Sequence, residues 1–432
     1  MLKQVYLHVA IDDADSHMGG CTTYVTYRLL KDIIREFSEI EIADLPLLVR
    51  LNPYVPFKTR GNAATKLILR TCENAVDKLR EFIISKVEQY AERRGKASPG
   101  IAFLISNSLQ VPDGLRRLYY KAVTDVVTFD IVKKICDRYN IETIGGRGII
   151  GAVAALGADF SNDSTYELLI YGDPQIKKSL EVNYELVKLL HELSRPFTFL
   201  DVDPEDCTVL LMPAGPDPVI FGIRGESPLH ILTFASVLLT ALGLDVEGWL
   251  LYRTNQGTEI HVEHAAWRPR TYRPVRKIVH IEHCYRTEER HVETTCGDLN
   301  LWCYRHLGTM CTEIERDLGA VLDVWGGAKL QDGKYYIYIE GIRKVADRQV
   351  RLENPRCPRC GRRLVSSGRD LMKCEKCGLV LPKEKIVHPI VESEHTFSIP
   401  KFSEHRHLMK SFERVGVEGL ANVLNISVLW IV

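Results

Sequence analysis

Three carboxylates follow the first apolar segment of the chain. Apolar residues occupy every second position of residues 5–11, as in a half-buried strand, and Asp12, Asp13 and Asp15 come directly after them. Ligands of open α/β sheets bind beyond the carboxyl ends of the strands, so we expect these carboxylates to belong to a binding site.

A glycine-rich turn and a predicted helix come next. Gly19 and Gly20 lead into a segment of helical spacing that begins with Thr22 and Thr23. The free amides and the positive dipole end of such a helix attract an anion, and carboxylates facing a phosphate would repel it unless Mg²⁺ lay between them. The combination predicts metal-assisted phosphoryl chemistry, although the loop lacks the Gly-Lys-Ser/Thr ending of a Walker loop. The alternative is an ordinary turn in which Thr22 caps the helix.

Two later loops also suit phosphate. One contains the cations Lys58 and Arg60. The other is a glycine-rich turn before a helix of small residues and consists of Gly145, Gly146, Arg147 and Gly148. Each loop is a weak signal alone because glycine-rich turns are common, but three such loops in the N-terminal region predict a nucleotide site.

Four of the 12 cysteines form two Cys-x-x-Cys pairs, at Cys357, Cys360, Cys374 and Cys377. Two such turns supply the four thiolates of a tetrahedral Zn²⁺ site in which no position stays open for substrate, so the prediction is a structural zinc ribbon. The other eight cysteines are scattered, and we expect them to be reduced thiols in the protein core.

Two groups of cations predict contacts with RNA. Five lie in residues 267–277, together with two aromatic residues and no acid, at Arg268, Arg270, Arg273, Arg276 and Lys277. Three more flank the cysteine pairs, at Arg359, Arg362 and Lys373. Cations for phosphates and rings for base stacking suit single-stranded RNA, whereas the alternative for the first group is a solvated linker.

The composition is that of an ordinary globular protein, with 45% hydrophobic and 26% charged residues. The 56 basic and 56 acidic side chains cancel, which argues against a protein that coats nucleic acid by bulk charge but not against one with local basic patches. We find no secretory signal and no apolar segment of membrane-spanning length, and therefore expect a cytoplasmic protein with no obligate protein partner.

The elements that position these residues are of mixed type. The first forty residues predict strand, loop and helix, and a further helix is expected over residues 65–90. Strands over 207–212 and 219–223, a helix over 228–242 and a strand over 248–252 are typical of part of a ferredoxin-like α/β sandwich. Short strands with a hairpin turn at 331–334 then predict a small β-barrel of the oligonucleotide-binding type.

Together these segments resemble one known family, the archaeal tRNA-isoleucine 2-agmatinylcytidine synthetases. The resemblance extends up to the zinc ribbon and is carried by motifs in a specific order, at residues 11–16 (Ile-Asp-Asp-Ala-Asp-Ser), 19–23 (Gly-Gly-Cys-Thr-Thr), 51–53 (Leu-Asn-Pro) with 58–62 (Lys-Thr-Arg-Gly-Asn), 214–218 (Ala-Gly-Pro-Asp-Pro), 222–225 (Gly-Ile-Arg-Gly) and 253–257 (Arg-Thr-Asn-Gln-Gly).

The predicted elements and the resemblance together imply an α/β and β multidomain fold. We expect a kinase-like α/β catalytic domain that binds ATP at 1–165, a ferredoxin-like domain at 166–266, an OB-fold β-barrel for nucleic acid at 267–350, a zinc ribbon at 351–390 and a C-terminal tail at 391–432.

The resemblance also implies an activity. It is the ATP-dependent ligation of agmatine to carbon 2 of the wobble cytidine in the CAU anticodon of isoleucine tRNA, by way of phosphorylation of the cytidine O2, so that the codon AUA is read. Asp12, Asp13 and Asp15 would hold Mg²⁺ at the ATP phosphates, and Thr22 matches a residue that becomes phosphorylated. Ala14 stands where the family usually has Thr, which removes a hydroxyl ligand but no carboxylate.

Agmatine carries a guanidinium group, for which a carboxylate is the natural partner. Asp217, in a turn bounded by prolines, is the candidate under this resemblance, with Arg224 beside it. Two other functions stay open. A non-catalytic RNA-binding protein would use only the barrel and the ribbon. A different ATP-dependent ligase of tRNA bases, such as a lysidine-forming enzyme, would carry a Ser-Gly-Gly-x-Asp-Ser loop, which this sequence lacks.

Overall fold

The computed structural model describes residues 3–346, 350–383, 386–389 and 397–419. They form two compact units. The first contains the residues up to Pro274 together with those from Lys401 onward, and the second is Val275–Pro400. The chain thus leaves the first unit once and returns to it after completing the second.

The first unit is built on one large sheet with helices around it. Its strands are β1 (Gln4–Asp12), β2 (Glu41–Ile42), β3 (Leu47–Arg50), β4 (Ala63–Cys72), β5 (Gly100–Ser106), β6 (Glu142–Gly145), β7 (Thr165–Tyr171), β8 (Val202–Asp203), β9 (Thr208–Val209), β10 (Val219–Gly225) and β11 (Gly248–Thr254). Its helices are α1 (Thr22–Glu36), α2 (Val76–Tyr90), α3 (Asp113–Thr124), α4 (Phe129–Tyr139), α5 (Ile149–Leu156), α6 (Pro174–Ser179), α7 (Tyr184–Ser194), α8 (Pro228–Leu242) and α9 (Ile260–Glu263), with 3-10 turns at Glu73–Ala75, Phe402–Glu404 and Phe412–Arg414.

The sheet of the first unit has nine strands in the order β10-β7-β11-β3-β4-β1-β5-β6, with β2 paired to β4. Its pairs are antiparallel except for β11 with β3. This register brings distant residues together at the edge of the sheet that is formed by the ends of the strands. Arg50 pairs with Ala63, Arg224 pairs with Glu167, and β1 ends there at Asp12. The edge is therefore where loops from many parts of the chain meet.

Helix α5 packs directly under the predicted phosphate loops. Its residues 151–156 are all buried, and they are small enough for the helix to lie against β1 and β5. A Cβ atom at Gly151 would lie 1.8 Å from Oδ2 of Asp12, so only glycine permits this approach. The helix thereby supports the carboxyl end of β1.

Strand β4 corrects one prediction. The sequence predicts a helix over residues 65–90, whereas the structure has the strand β4 (Ala63–Cys72), a short turn and the helix α2. Residues 64–69 are buried in succession, since β4 lies between β1 and β3 with both faces covered. A strand buried on both faces loses the alternation by which strands are recognised.

Other predicted elements are confirmed. The strand predicted at 5–11 lies within β1, and the helix predicted to begin at Thr22 is α1. The strands at 219–223 and 248–252 lie within β10 and β11, and the helix at 228–242 is α8. The strand predicted at 207–212 is reduced to β9, which pairs with β8 and not with the large sheet.

The second unit is mostly β structure. Its strands are β12 (Pro274–His280), β13 (His283–Arg286), β14 (Val292–Cys296), β15 (Leu299–Cys303), β16 (Val321–Gln331), β17 (Lys334–Ala346), β18 (Val350–Glu353), β19 (Val365–Ser366), β20 (Leu371–Lys373), β21 (Val380–Pro382), β22 (Ile386–Pro389) and β23 (Phe397–Ser398), and it has the helix α10 (Thr309–Arg316) and a 3-10 turn at Arg305–Leu307. Seven strands form one sheet in the order β12-β16-β17-β15-β14-β13, with β23 on β17. Two small sheets, β18-β22 and β19-β20-β21, follow.

The hairpin predicted at 331–334 is confirmed. It joins β16 to β17, and Asp332 and Gly333 have φ values of 48° and 78°, as a two-residue hairpin turn of this kind requires.

The prediction that all eight scattered cysteines are reduced core thiols is wrong in part. Cys303 and Cys311 form a disulfide, and Cys207 is exposed. None of the helices in the described ranges combines the length and the apolar composition needed to span a lipid bilayer.

Candidate active site

A cavity of about 650 Å³ lies at the sheet edge of the first unit. The predicted site residues that line it are Asp12, Asp13, Asp15, Thr22, Thr23, Lys58, Arg60, Arg147, Gly148, Asp217 and Arg224. Gly19, Gly20, Gly145 and Gly146 lie in the loops around it without lining it. The fold therefore brings the three predicted phosphate loops and the predicted agmatine residues to one place.

The carboxylates of the N-terminal cluster are buried to different extents and have different partners. Asp13 accepts hydrogen bonds from Arg147 at 2.7 Å and from Thr59 at 3.3 Å, and Asp15 lies 3.6 Å from Arg60. Asp12 accepts a hydrogen bond from the backbone amide of Asp13 and, among the described residues, forms no direct ion pair, although Arg147 lies close enough to act on it. Burial raises the pKa of Asp12 well above its usual range and raises that of Asp15 to about 6.

These carboxylates do not converge on a single point. Within the described residues, only the four cysteines form a group of three or more possible metal ligands whose atoms all lie within 4.8 Å of one another. The three carboxylates are farther apart than that. The donor set nevertheless fits a hard cation, because Asp12, Asp13 and Asp15 all line the cavity and the carboxylate of Asp12 has no ion pair with a cationic side chain of the described residues.

Thr22 begins helix α1 beside this cluster. It is 5% exposed, and its Oγ1 accepts a hydrogen bond of 3.3 Å from the amide of Ala14. Gly20, two residues earlier, has a φ of +75°, and a Cβ atom there would lie 2.6 Å from Glu92, so the turn requires glycine. The hydroxyl group and the free amides of the first turn of the helix thus face the same cavity.

Arg60 joins the N-terminal cluster to the turn at Asp217. Its guanidinium donates to Oδ2 of Asp217 at 2.6 Å and to the carbonyl groups of Ser16 and Gly20 at 2.9 and 3.0 Å. Lys177 donates to the other oxygen of Asp217 at 3.0 Å. The predicted guanidinium receptor is thus already paired with two of the protein's own cations.

Sequence reasoning missed two charged residues at the other end of the cavity. Arg50 ends β3 and Glu167 lies in β7, and Oε2 of Glu167 is 3.2 Å from Arg50 while Oε1 is 3.2 Å from Arg224. A signal for Glu167 existed, since it is the one charged residue of the buried strand 165–171. Arg50 directly precedes the Leu-Asn-Pro motif but has no pattern of its own.

Sequence reasoning also missed the C-terminal contribution to the site. His407 lines the cavity, its carbonyl group accepts a hydrogen bond from the amide of Gly257 at 2.7 Å, and Leu408 is buried next to it. Nothing in the polar sequence of this segment indicates the contact, which depends on the return of the chain to the first unit.

The predicted RNA-binding cations have acidic partners that are distant in sequence. Arg273 donates to Asp125, Arg276 lies 2.8 Å from Asp323, and Lys277 lies 3.6 Å from Asp298. Arg268 and Arg270 are exposed, as are the three predicted cations that flank the cysteine pairs, Arg359, Arg362 and Lys373.

The predicted zinc ligands lie together. The sulfur atoms of Cys357 and Cys377, and those of Cys360 and Cys374, are 3.4 Å apart, and all four lie within 4.8 Å of one another. Zn–S bonds of about 2.3 Å would set the sulfur atoms of a tetrahedral site about 3.8 Å apart, so the four thiols fit a zinc ion.

Comparison with known proteins identifies the family of the chain. Residues 8–146 match the family model of the TiaS TCKD domain, and residues 146–261 match that of the TiaS FLD domain. The tRNA-isoleucine 2-agmatinylcytidine synthetase TiaS of Caldivirga maquilingensis is 39% identical over 98% of this chain and 99% of its own. That of Pyrobaculum neutrophilum is 40% identical over 93% of this chain and 94% of its own.

Solved structures of TiaS are similar along almost the whole chain. The complex of TiaS with its isoleucine tRNA and ATP superposes with a TM-score of 0.76 at 29% identity, over 96% of this chain and 99% of that one. The complex with the same tRNA, AMPCPP and agmatine has a TM-score of 0.74 at 27% identity, over 96% and 98%. With this likeness in sequence and fold, the chain belongs to the family of tRNA-isoleucine 2-agmatinylcytidine synthetases, TiaS.

Proposed function

We propose that this protein uses ATP to join agmatine to carbon 2 of the wobble cytidine of an isoleucine tRNA with the anticodon CAU. Membership of the TiaS family over 98% of the chain carries this conclusion. The relatives' structures contain isoleucine tRNA with ATP, or with AMPCPP and agmatine, and these are the substrates that the proposed reaction needs. Because the substrate is a tRNA, we propose a cytoplasmic reaction.

The chemistry requires activation of the base. The O2 atom of cytidine cannot leave directly when an amine attacks carbon 2, so it is first phosphorylated with a phosphoryl group derived from ATP, whose P–O bond breaks and whose remaining nucleotide leaves. The amine nitrogen then forms the C–N bond, the C–O bond breaks with phosphate as the leaving group, and the amine loses a proton to a base. Positioned hydrogen-bond donors and charges supply most of the catalysis in such phosphoryl transfers.

The N-terminal cluster is the proposed phosphate end of the cavity. Mg²⁺ held by Asp12, Asp13 and Asp15 would neutralise the charge of the ATP phosphates when bound. Thr22 lies among free helix amides, where its hydroxyl can receive a phosphoryl group. Gly19, Gly20, Gly145, Gly146 and Gly148 shape the loops, and Thr23, Lys58, Arg60 and Arg147 supply further donors.

Asp217 is the proposed receptor for the guanidinium of agmatine. Arg60 now occupies one of its oxygens, and a guanidinium of the substrate has the same shape and charge. Binding would therefore exchange one guanidinium for another and release Arg60 toward the phosphates. The predicted contact of agmatine with Arg224 is not part of this proposal, because the two groups are both cations and repel each other.

We also propose finer identities for the parts of the fold. Residues 1–165 would be a kinase-like domain, 166–266 a ferredoxin-like domain, 267–350 an OB-fold barrel and 351–390 a zinc ribbon, with 391–432 as a C-terminal segment. The exposed cations Arg268, Arg270, Arg359, Arg362 and Lys373, with Arg273, Arg276 and Lys277, would contact the tRNA. Zn²⁺ bound by the four cysteines would stabilise the ribbon.

The test is the reaction itself. The full chain, incubated with ATP, Mg²⁺, agmatine and a transcript of the isoleucine tRNA, should convert the wobble cytidine to its agmatine adduct, measured by mass spectrometry of the nucleosides. Thr22→Ala and Asp12→Ala should lower the yield at least about a hundredfold, whereas Thr240→Ala, on the exposed face of α8, should not. Full activity of Thr22→Ala would contradict the assigned site, and incorporation of lysine in place of agmatine would favour a lysidine-forming enzyme.

A further inference from the structure

The end of the cavity that lies away from the aspartate cluster carries an excess of positive charge. Arg50 and Arg224 line it together with Glu167, the acid that pairs with both, and Lys58 of the 58–62 loop acts with them on His407. Glu167 binds Nη2 of Arg50 and Nε of Arg224. Within the described part of the chain, Nη1 of Arg50 and both terminal nitrogens of Arg224 have no hydrogen-bond acceptor. The two arginines therefore line the cavity with part of their hydrogen-bonding capacity unused.

The Arg-Thr-Asn-Gln-Gly motif at 253–257 explains how this end is held in place. Asn255 accepts a hydrogen bond from the backbone amide of Arg50 at 2.8 Å and donates to its carbonyl group at 2.9 Å. Gln256 accepts one from Nε of Arg50 at 3.0 Å. These contacts fix a buried guanidinium in one orientation, so its free edge is preorganised for a ligand.

The same motif also holds His407. The amide of Gly257 donates to the carbonyl group of His407, and the imidazole packs so closely on the Lys-Thr-Arg-Gly-Asn loop that a Cβ atom at Gly61 would lie 2.6 Å from it. Burial, and then the cations Arg50, Arg224 and Lys58, hold the pKa of His407 well below its usual range. The imidazole is thus uncharged and lies in a field of positive sign.

We propose that Arg50, Arg224, Lys58 and His407 form an anion subsite that binds a phosphate group. The proposal rests on the proposed function, which supplies two sources of phosphate, the backbone of the tRNA at the wobble nucleotide and the polyphosphate of ATP. Arginine donors of fixed geometry suit a phosphate oxygen pair, and the neutral imidazole adds one further donor.

Agmatine is the wrong ligand for this end because it carries two positive charges, and like charges in a partly buried site repel. The position of Arg50 along the sheet agrees with a role in holding the tRNA. One strand, β4, separates β3 from β1, so Arg50 lies about 10 Å from the aspartate cluster along the sheet edge. A nucleotide whose phosphate is held at Arg50 can place its base toward that cluster.

The experiment measures the binding of three ligands to the full chain, each alone: a transcript of the isoleucine tRNA, ATP with Mg²⁺, and agmatine. Arg224→Gln should weaken binding of tRNA or of ATP at least about fivefold and leave agmatine unchanged. If the ligand is the RNA backbone, the slope of log affinity against log salt should also fall by about 0.7 for the lost contact. Arg70→Gln, an exposed arginine on β4 outside the cavity, should change none of the three.

Glu167→Gln should change the affinity in the opposite direction to Arg224→Gln. It removes the carboxylate that competes for both arginines, so affinity for the phosphate ligand should rise, and His407→Ala should lower the same affinity about twofold to fivefold. A loss in the tRNA arm identifies the backbone as the ligand, and a loss in the ATP arm identifies the polyphosphate. Unchanged affinity for both, or a loss for agmatine alone, overturns the proposal. Failure of the wild-type chain to modify tRNA would refute the proposed function. The binding measurements would still test the anion subsite, because they do not depend on the reaction.

Discussion

The carboxyl group of Asp15 lies in the cavity wall with its side chain 18% exposed. Burial raises its pKa to about 6, with Arg60 opposing the shift and Asp13 adding to it. A pKa that is higher in the native than in the unfolded chain means that stability falls as the pH rises from about 4 to about 6, and that this cost persists at higher pH. The charged carboxylate of Asp15 therefore lowers the free energy of unfolding at neutral pH.

Asp15→Asn should accordingly stabilise the protein at neutral pH. We expect a gain of about 1–2 kcal/mol in the free energy of unfolding at pH 7.5, shrinking toward zero near pH 4. Urea denaturation at pH 7.5, 6 and 4.5 measures it, with the exposed Asp77→Asn as a control within about 0.5 kcal/mol of wild type. A variant less stable than wild type at pH 7.5 would show that the ion pair with Arg60 outweighs the cost of burial.

At the scale of elements, the segment 401–419 ties the end of the chain to the first unit. Arg414 is fully buried and binds Glu226 and Asp163, and it donates to the carbonyl group of Gly257 at 2.6 Å. His191 lies between Asp201 at 2.9 Å and Glu413 at 2.8 Å; burial opposes its protonation, but these carboxylates raise its pKa to about 9. These buried contacts position the backbone that carries His407.

Arg414→Met should be strongly destabilising. It leaves Glu226 and Asp163 without their cation in a buried site, at a cost of about 3–5 kcal/mol in the free energy of unfolding. Chemical denaturation measures this, and Arg70→Met, which removes an exposed arginine, should cost less than about 1 kcal/mol. A cost below about 1 kcal/mol for Arg414→Met would mean that the segment is not held by this cluster.

At the scale of the whole molecule, the two compact units contain different predicted sites. The cavity proposed for ATP belongs to the first unit, and the cysteine cluster belongs to the second. Each unit has its own hydrophobic core, so loss of the proposed zinc ribbon should leave the first unit folded.

Loss of zinc should therefore weaken tRNA binding more than ATP binding. For Cys374→Ser, or for the wild-type chain after chelation, we expect tRNA affinity to fall about tenfold or more and ATP affinity to stay within about twofold. Cys207→Ser, an exposed thiol of the first unit, is the matched control and should change neither. Equal loss of both affinities would instead assign the ribbon a role in supporting the entire fold.

Local signals in the sequence were sufficient for the features that depend on neighbouring residues. The two Cys-x-x-Cys turns, the Asp-Gly hairpin and the helix that starts at Thr22 need only residues a few positions apart, and all are present in the structure. The glycine-rich loops and their cations were also recognisable, because the backbone conformation and charge that a phosphate requires are properties of short segments.

Tertiary structure alone decided which of the charged side chains are paired with one another and which further residues line the cavity. Asp217 is paired with Arg60 and Lys177, Arg50 is held by Gln256, and His407 comes from a segment beyond the second unit. The physical reason is that such contacts join residues that are far apart along the chain. Strand register and the return of the chain determine them, and no local pattern of residues encodes either.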